Sequence, residues 1–344
     1  MEITLAHLTN GLTGAFILSV SAFLLAMIMT PVYTLLAYKY KFWKKQRTTS
    51  TTGEKLEVFN KLHADKFTRN IPTMAGVIFV AAIALVTFAF NLDRGQTWLP
   101  LAALVGGALV GLLDDIINVK GQGKGVAGLR SSLKFAMITI IGLGLGWFFF
   151  SKLGATAVYV PFIGSVALGW GIIPLFGFII VATGNAVNIS DGLDGLAGGL
   201  VAISFSAFGI IALLQSQFII AGFCFTVVGA LLSYLWFNIY PARFFMGDVG
   251  SFALGTSLGV VAMLTNTVFV LPIIGFVFVA EAGSSLIQIF SKKVFKRRIF
   301  ISAPVHQHLQ ASGWPETKVT MRFWVIGVVA AFVGVLLALA GGNV

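Results

Sequence analysis

The amino-acid sequence predicts an all-α integral membrane protein with about ten transmembrane helices, both termini outside the cytoplasm, and a small external β-hairpin. Three observations predict this class. The 344 residues are 58% hydrophobic and only 10% charged, whereas a soluble domain is about a quarter charged. Long apolar runs recur without the alternation of membrane strands, and about 20 such residues cross a bilayer as a helix. Finally, the basic residues gather in alternate connections.

Ten apolar runs each predict one transmembrane helix. No Lys or Arg precedes the first run, which argues against a cleaved signal peptide and leaves the N-terminus outside. Cys224 stands alone in the seventh run, so it predicts a packed thiol rather than a disulfide. The runs lie at residues 12–38, 72–90, 97–113, 132–150, 170–187, 197–213, 218–237, 250–265, 268–290 and 321–340.

The connections between these runs differ sharply in charge. Of the 23 Lys and Arg residues, only Arg94 and Lys152 fall outside the alternate segments 39–71, 114–134, 238–249 and 291–322, which we place in the cytoplasm because positive charge collects there. On the outer side, residues 155–168 carry β-branched and aromatic residues around Pro161 and Gly164, which predicts the hairpin. We expect one polytopic domain over 1–344, with cytoplasmic loops at 39–71, 114–131, 185–196, 238–249 and 291–320.

Two adjacent carboxylates, Asp114 and Asp115, directly follow an apolar run that is free of charge from Pro100 to Leu113. They stand at a helix C-terminus, whose partial negative charge repels carboxylates, and neighbouring carboxylates disfavour each other's ionisation. A capping role therefore accounts poorly for the pair. A bound divalent cation or a role in proton transfer accounts for it better.

Two further cytoplasmic connections place Asp residues among glycines. The segment Asn185–Gly199 contains Asp191 and Asp194 in the sequence DGLDG, where glycines allow a tight turn and close approach of a ligand. Asp248 stands where the eighth run begins. Phe245, three residues earlier, offers a ring suited to a planar base beside a metal-bound phosphate. Helix N-capping is the competing interpretation in both places.

Basic and imidazole side chains accompany these acids. Arg130 and Lys134 are four residues apart, so they would share a helix face, either to clamp a diphosphate or to snorkel to anionic headgroups. His306 and His308 follow Pro304, and they would share a face in extended backbone. Phosphate contact or a proton relay is favoured there over a two-His zinc site, which lacks further ligands nearby.

The kind of side chain at these positions predicts the metal and the class of substrate. Hard oxygen ligands with few His residues select Mg²⁺ or Mn²⁺ rather than zinc. Proteins usually hold Mg²⁺ with one or two carboxylates and the substrate's phosphates. Five Asp residues in three short connections thus predict a Mg²⁺ site for a polyanion such as a nucleotide diphosphate. Glu281 lies in the middle of the ninth apolar run, at the depth of the membrane. A functional role and a packing role are equally compatible with an acid at that depth.

Taken together, these motifs carry a resemblance that covers most of the chain. They resemble the polyprenyl-phosphate N-acetylhexosamine-1-phosphate transferase superfamily and, within it, the phospho-N-acetylmuramoyl-pentapeptide transferases. The tail Gly313–Trp324 is the piece most similar to that branch. The other matching motifs are Pro72-Thr-Met-Ala-Gly76, Leu113-Asp-Asp115, Asn185–Gly195, Phe245–Ser251 and Ala303-Pro-Val-His306.

The resemblance implies an activity and a set of site residues. The activity is transfer of phospho-N-acetylmuramoyl(MurNAc)-pentapeptide from its UDP conjugate to undecaprenyl phosphate, which gives lipid I and UMP for peptidoglycan synthesis. Asp114, Asp115 and Asp248 would be catalytic, and Asp248 would also ligate Mg²⁺. The substrate-binding residues would be Lys134, Asn188, Asp191, Gly192, Leu193, Asp194, Asn238, Phe245, His306 and His308.

The resemblance also implies a location and partners. The chain would lie in the bacterial cytoplasmic (inner) membrane, with the active site on the cytoplasmic face. Its partners would be the UDP-sugar peptide, undecaprenyl phosphate and membrane lipid, without nucleic acid. A homodimer is expected only from the resemblance, because the GxxxG pattern at Gly107 and Gly111 is more often intramolecular packing.

The chain departs from the family pattern in its histidine loop and at one glycine. The family's three His residues followed by Phe-Glu become His306-Gln307-His308-Leu309-Gln310, and Ala75 stands where the family often has Gly. Three alternatives stay open. The first is a transferase for UDP-N-acetylglucosamine (UDP-GlcNAc), against which the tail argues. The second is a transporter, which predicts acids at mid-membrane, and the third is a non-catalytic homologue.

Overall fold

The computed structural model describes residues 5–43, 70–121 and 128–342, with side chains from Leu8 onward. Most of the predicted loop 39–71 therefore lies outside the described residues. The described chain is helical apart from one small sheet. Its helices are α1 (Leu5–Lys39), α2 (Gly76–Phe90), α3 (Trp98–Lys120), α4 (Ser131–Leu153), α5 (Ile172–Ser190), α6 (Leu196–Leu214), α7 (Phe218–Asn238), α8 (Gly247–Leu264), α9 (Leu271–Ile274), α10 (Phe276–Val294), α11 (Val305–Ala311) and α12 (Glu316–Ala340).

Nine of the ten predicted runs each lie mainly on one helix, and eight of the described helices are long and apolar enough to cross a membrane. Helix α2 is apolar but has only 15 residues. The ninth run is divided at Gly275 into the short α9 and the longer α10. Pro272 stands in the first turn of α9, where its missing N–H costs nothing. The apolar run continues through this break, so hydropathy alone could not reveal it.

The helices differ in how much of their apolar surface the rest of the protein covers. Helices α6 and α8 are buried over 83% and 89% of their most apolar windows, whereas α1 is buried over 17%. Large apolar side chains on α1 and α12 point outward, for example Leu35 and Phe332, which are 73% and 64% exposed. Such an exposed apolar surface suits contact with lipid. Helices α6 and α8 therefore form the centre of the bundle.

The predicted hairpin is confirmed as a two-stranded antiparallel sheet. Strands β1 (Ala157–Val160) and β2 (Gly164–Ala167) pair with Val158 opposite Val166. The Tyr159 backbone N–H donates to Asn266 just after α8, and its hydroxyl donates to the Gly341 carbonyl just after α12. The hairpin therefore covers the end of the bundle at which α4, α8 and α12 finish.

The predicted loops 114–131, 185–196, 238–249 and 291–320 are all partly helical. Helix α3 continues to Lys120, because the residues after Asp115 include no Gly or Pro before Gly121. Residues 305–311 form helix α11, so the expectation of extended backbone at His306 and His308 is wrong. Pro304 precedes this helix as its N-cap residue, a place where proline is compatible with the turn that follows.

Candidate active site

Three carboxylates meet at the end of the bundle opposite the hairpin. Ligand-type oxygens of Asp114, Asp115 and Asp248 all lie within 4.8 Å of one another. Asp114 and Asp115 are buried on α3, and Asp248 is the partly exposed second residue of α8. The convergence predicted for these three residues is therefore present, although the first two lie on a helix and not in a loop.

Glycines bring α3 and α8 close enough for this meeting. An added Cβ at Gly111 would lie 2.1 Å from the Asp248 carbonyl oxygen, and one at Gly107 would lie 2.6 Å from that of Phe252. Both distances are far below van der Waals contact, so only glycine fits. The GxxxG pattern thus packs two helices of the same chain together, as the sequence predicted.

Backbone and amide groups fix the two carboxylates of α3. The Val249 N–H donates to Asp115 Oδ2 at 3.0 Å. The Leu129 N–H donates to Asp114 Oδ1 at 2.7 Å, and the Asn118 side-chain amide donates to Asp114 Oδ2 at 3.0 Å. Asn118 follows Asp114 by one helical turn, which places both on one face. Sequence analysis missed Asn118, although its spacing of four from Asp114 was a usable signal.

Lys134 bridges the acids from the first turn of α4. Its Nζ lies 2.6 Å from Asp248 Oδ2 and 3.1 Å from Asp114 Oδ2. The same ammonium lies 5.4 Å from the centre of the Phe252 ring. Lys134 therefore forms an ion-pair network with Asp114 and Asp248, and charge-assisted bonds of this kind are short and strong. Its predicted contact with phosphate stays a prediction.

Backbone hydrogen bonds join residues 72–76 to the segment that leads into α8. Phe245 N donates to Pro72 O at 2.8 Å, Ala75 N donates to Phe245 O at 3.0 Å, and Gly76 N donates to Met246 O at 2.9 Å. We call this set of main-chain bonds the backbone junction. Phe245 is half-buried, and it lies three residues before Asp248 in the sequence.

The DGLDG sequence forms the turn between α5 and α6. Asn188, on the last turn of α5, donates to the Ser251 hydroxyl at 2.8 Å, and Ser251 lies three residues after Asp248. Leu193 and Asp194 are buried. At the end of the turn Gly195 has a φ of +74°, a left-handed conformation that glycine adopts without strain. The α5 end of the predicted loop is therefore tied to α8 at Ser251, three residues after Asp248.

Asn238 ties this turn to the end of α7. Its side-chain oxygen accepts from the Gly195 N–H at 2.9 Å, and its amide donates to the Phe244 carbonyl at 2.9 Å. Asn238 is itself buried. The predicted residue thus links the DGLDG turn to the segment that carries Phe245.

The two histidines of α11 point in different directions. His306 is buried, and its Nδ1 lies 2.8 Å from Glu281 Oε2 on α10. An added Cβ at Gly192 would lie 2.3 Å from His306 Nε2, so the ring packs directly against the DGLDG turn. His308 instead accepts from the Ile301 N–H and packs edge-on against Phe300. His306 thus packs against Gly192, another of the predicted site residues.

The chemistry of the acidic cluster suits a divalent metal ion. Three carboxylates from two helices offer hard oxygen donors, which magnesium and similar ions prefer. Lys134 supplies part of the positive charge that such a cluster needs. Asp114, Asp115 and Asp248 can hold a metal ion that also binds phosphate oxygens.

Comparison with known proteins identifies the family. Residues 97–266, which contain the three acids and the DGLDG turn, match the family model described as Glycosyl transferase family 4. The chain is 38% identical to the phospho-N-acetylmuramoyl-pentapeptide-transferase of Chloroflexus aggregans, over 100% of this chain and 94% of that protein. The protein of the same name from Listeria welshimeri is 38% identical, over 91% and 95% of the two chains.

A third relative, from Caldanaerobacter subterraneus, also carries this name and is 41% identical over 76% of this chain and 82% of its own length. These identities extend well beyond the matched region and include the tail Gly313–Trp324 in the alignment that covers the whole chain. The protein is therefore a phosphoglycosyl transferase with several membrane-spanning helices, and it belongs to the phospho-N-acetylmuramoyl-pentapeptide transferase family.

Proposed function

We propose that the protein transfers phospho-MurNAc-pentapeptide from its UDP conjugate to undecaprenyl phosphate, giving lipid I and UMP, with Mg²⁺ as the metal. The observation that carries this proposal is the cluster of Asp114, Asp115 and Asp248 beside Lys134. The names of the family relatives support the sugar and the peptide. Bound Mg²⁺ would supply charge stabilisation to the pyrophosphate.

In a direct transfer, an oxygen of the lipid phosphate attacks the phosphorus that carries the sugar. The new P–O bond replaces the bond from that phosphorus to the bridging oxygen, and UMP leaves with that oxygen. Asp114 accepts the proton when the lipid phosphate arrives protonated. Lys134, between Asp114 and Asp248, neutralises phosphate charge. The half-buried Phe245 ring stacks on uracil, and the DGLDG turn binds the nucleotide.

An apolar cleft supports a long-chain lipid as the acceptor. It has a volume of about 290 Å³ and is open on one side between α5, α8 and the broken α9–α10 segment. Its walls are almost entirely apolar, and they include Phe178, Leu258, Phe269, Pro272 and Phe278. Such a surface accommodates an isoprenoid chain, while the phosphate remains at the polar end of the bundle.

We further propose ten spans with both termini outside and the acidic cluster on the cytoplasmic face. The segments predicted to be cytoplasmic, 39–71, 114–134, 238–249 and 291–322, hold 21 of the 23 Lys and Arg residues. Positive charge of this kind collects in the cytoplasm. The assigned location is therefore the inner membrane, where UDP-linked substrates are available on the cytoplasmic side.

The test is UMP release by the purified protein with UDP-MurNAc-pentapeptide and undecaprenyl phosphate. We expect turnover that needs Mg²⁺ and stops with EDTA, and little turnover with UDP-GlcNAc. Asp248→Asn should reduce turnover by at least about a hundredfold, because a neutral amide replaces an anionic ligand. The matched control is Asp93→Asn, in a turn at the other end of the bundle. Exclusive use of UDP-GlcNAc would overturn the proposed substrate.

A further inference from the structure

The tail motif GWPETKVTMRFW (Gly313–Trp324) is the part of the sequence most similar to the family, yet none of its residues has a role in the proposed transfer. Three of its side chains, Glu316, Thr320 and Trp324, follow one another at intervals of four residues on α12. This spacing places them along one face of the helix. All three make hydrogen bonds to the same two residues of the DGLDG turn, and we call this set the α12 stripe.

The hydrogen bonds of the α12 stripe reach the main chain of Asp194 and Gly195. The Asp194 N–H donates to Glu316 Oε1 at 2.6 Å. The Thr320 hydroxyl donates to the Asp194 carbonyl at 3.3 Å, and the Trp324 indole N–H donates to the Gly195 carbonyl at 3.2 Å. The first of these is a short bond to a carboxyl group, the kind that contributes most to orientation.

The same two residues are held from the opposite side by the end of α7 and the segment after it. The Gly195 N–H donates to Asn238, and the Ala242 N–H donates to Asp194 Oδ2 at 2.9 Å. Asp194 and Gly195 therefore have both of their backbone N–H groups and both carbonyls bonded to side chains of two other helices. Such full satisfaction of buried polar groups fixes one conformation.

The turn is fixed at its other end by the metal-ligating helix. Asn188 bonds to Ser251, close to Asp248. Residues 191–193 therefore lie between an anchor on α8 and an anchor on α12. Trp324 adds a steric anchor, because an added Cβ at Gly199 of α6 would lie 2.2 Å from its indole ring. The position of the turn relative to the acids thus depends on α12.

We infer that Glu316, Thr320 and Trp324 are positioning residues that hold the DGLDG turn in the shape that binds the uridine nucleotide, an inference that rests on the proposed function. The three side chains act through Asp194 and Gly195 and do not touch the reacting atoms. The tail motif is therefore part of the nucleotide site by its effect on the turn, although it lies far from that site in the sequence.

The experiment measures UMP binding and steady-state kinetics on full-length protein. In Glu316→Ala we expect the Kd for UMP and the KM for the UDP-sugar peptide to rise by about tenfold, the effect of losing one bond to a charged group. Trp324→Phe keeps an aromatic ring, although a smaller one, and removes the N–H, and it should raise the same constants by about threefold. The KM for undecaprenyl phosphate should stay unchanged in both variants.

Conservative and neighbouring substitutions serve as controls. Glu316→Gln keeps an acceptor oxygen at the same length, so it should restore the Kd to within about threefold of wild type. Thr317→Ala and Val325→Ala change exposed neighbours on the same helix and should change neither constant. If Glu316→Ala does not fold, Trp324→Phe and Thr320→Val provide the same readout.

Two results would overturn the inference. One is a Kd for UMP in Glu316→Ala and Trp324→Phe within twofold of wild type. The other is an equal loss for both substrates together with a lowered Tm, which is the pattern of a purely structural role. Failure of the proposed function is a separate outcome, because it would appear as absent UMP release or absent UMP binding in the unaltered protein.

Discussion

Replacing Gly111 with alanine tests whether the contact between α3 and α8 sets the geometry of the acidic cluster. The added methyl carbon would lie 2.1 Å from the Asp248 carbonyl oxygen, whereas an ordinary contact begins at 3.4 Å. The two helices must therefore separate by about 1.3 Å at this level, the difference of these distances. Asp114 and Asp115 lie one turn after Gly111 on α3, so both carboxylates move away from Asp248 when the helices separate.

A displacement of about 1 Å at a reacting centre can cost on the order of a hundredfold in rate. We therefore expect Gly111→Ala to reduce kcat for UMP release by about a hundredfold, with roughly 1–3 kcal/mol of lost stability from overpacking. Gly106→Ala is the matched control on the same helix, because its Cβ would meet only the flexible end of Ile141 at 3.3 Å. Wild-type kcat in Gly111→Ala would refute the reasoning.

Three further predictions follow from neighbouring contacts. Phe245→Ala should weaken UMP binding by about tenfold through loss of ring stacking, and an unaffected Kd in a titration would reject the stacking role. Glu281→Gln should lower kcat/KM by about tenfold, because it weakens the 2.8 Å contact to His306. Gly283→Ala is the control, since its added methyl group meets open space. Equal kinetics in the two variants would contradict the prediction. Gly192→Ala should displace the His306 ring, since the added carbon would lie 2.3 Å from Nε2, and a wild-type KM for the UDP-sugar peptide would count against this packing.

The acidic cluster could be predicted from the sequence because unusual residues stood in unfavourable places. Asp114 and Asp115 follow an apolar run at a helix end that repels negative charge, and such placement is rare without a ligand. The alternation of basic connections predicts which other connections lie on the same side of the membrane as this pair. Asp248 and the DGLDG sequence then had to lie at the same end of the bundle, and they do.

Other features depend on tertiary contacts that no local pattern reports. The extension of α3 to Lys120 was hidden because polar residues at a membrane edge resemble a loop, although no helix-breaking residue occurs before Gly121. Pro304 favours extended backbone on its own, so the sequence does not predict helix α11 directly after it. The role of Trp324 could not be predicted at all, since its partner Gly195 lies 129 residues earlier.

The backbone junction determines which substitutions residues 75 and 76 tolerate. Its bonds use only main-chain atoms, so they do not depend on the side chain at position 75. That position can carry glycine or alanine, provided that a methyl group fits. Ala75 is fully buried, and it carries its methyl group without loss of the bond to Phe245. Gly76 has no such latitude, since a methyl group there would sit 2.4 Å from the amide nitrogen of Gly250. Of these two adjacent positions, position 75 therefore tolerates a small side chain, whereas position 76 accepts only glycine.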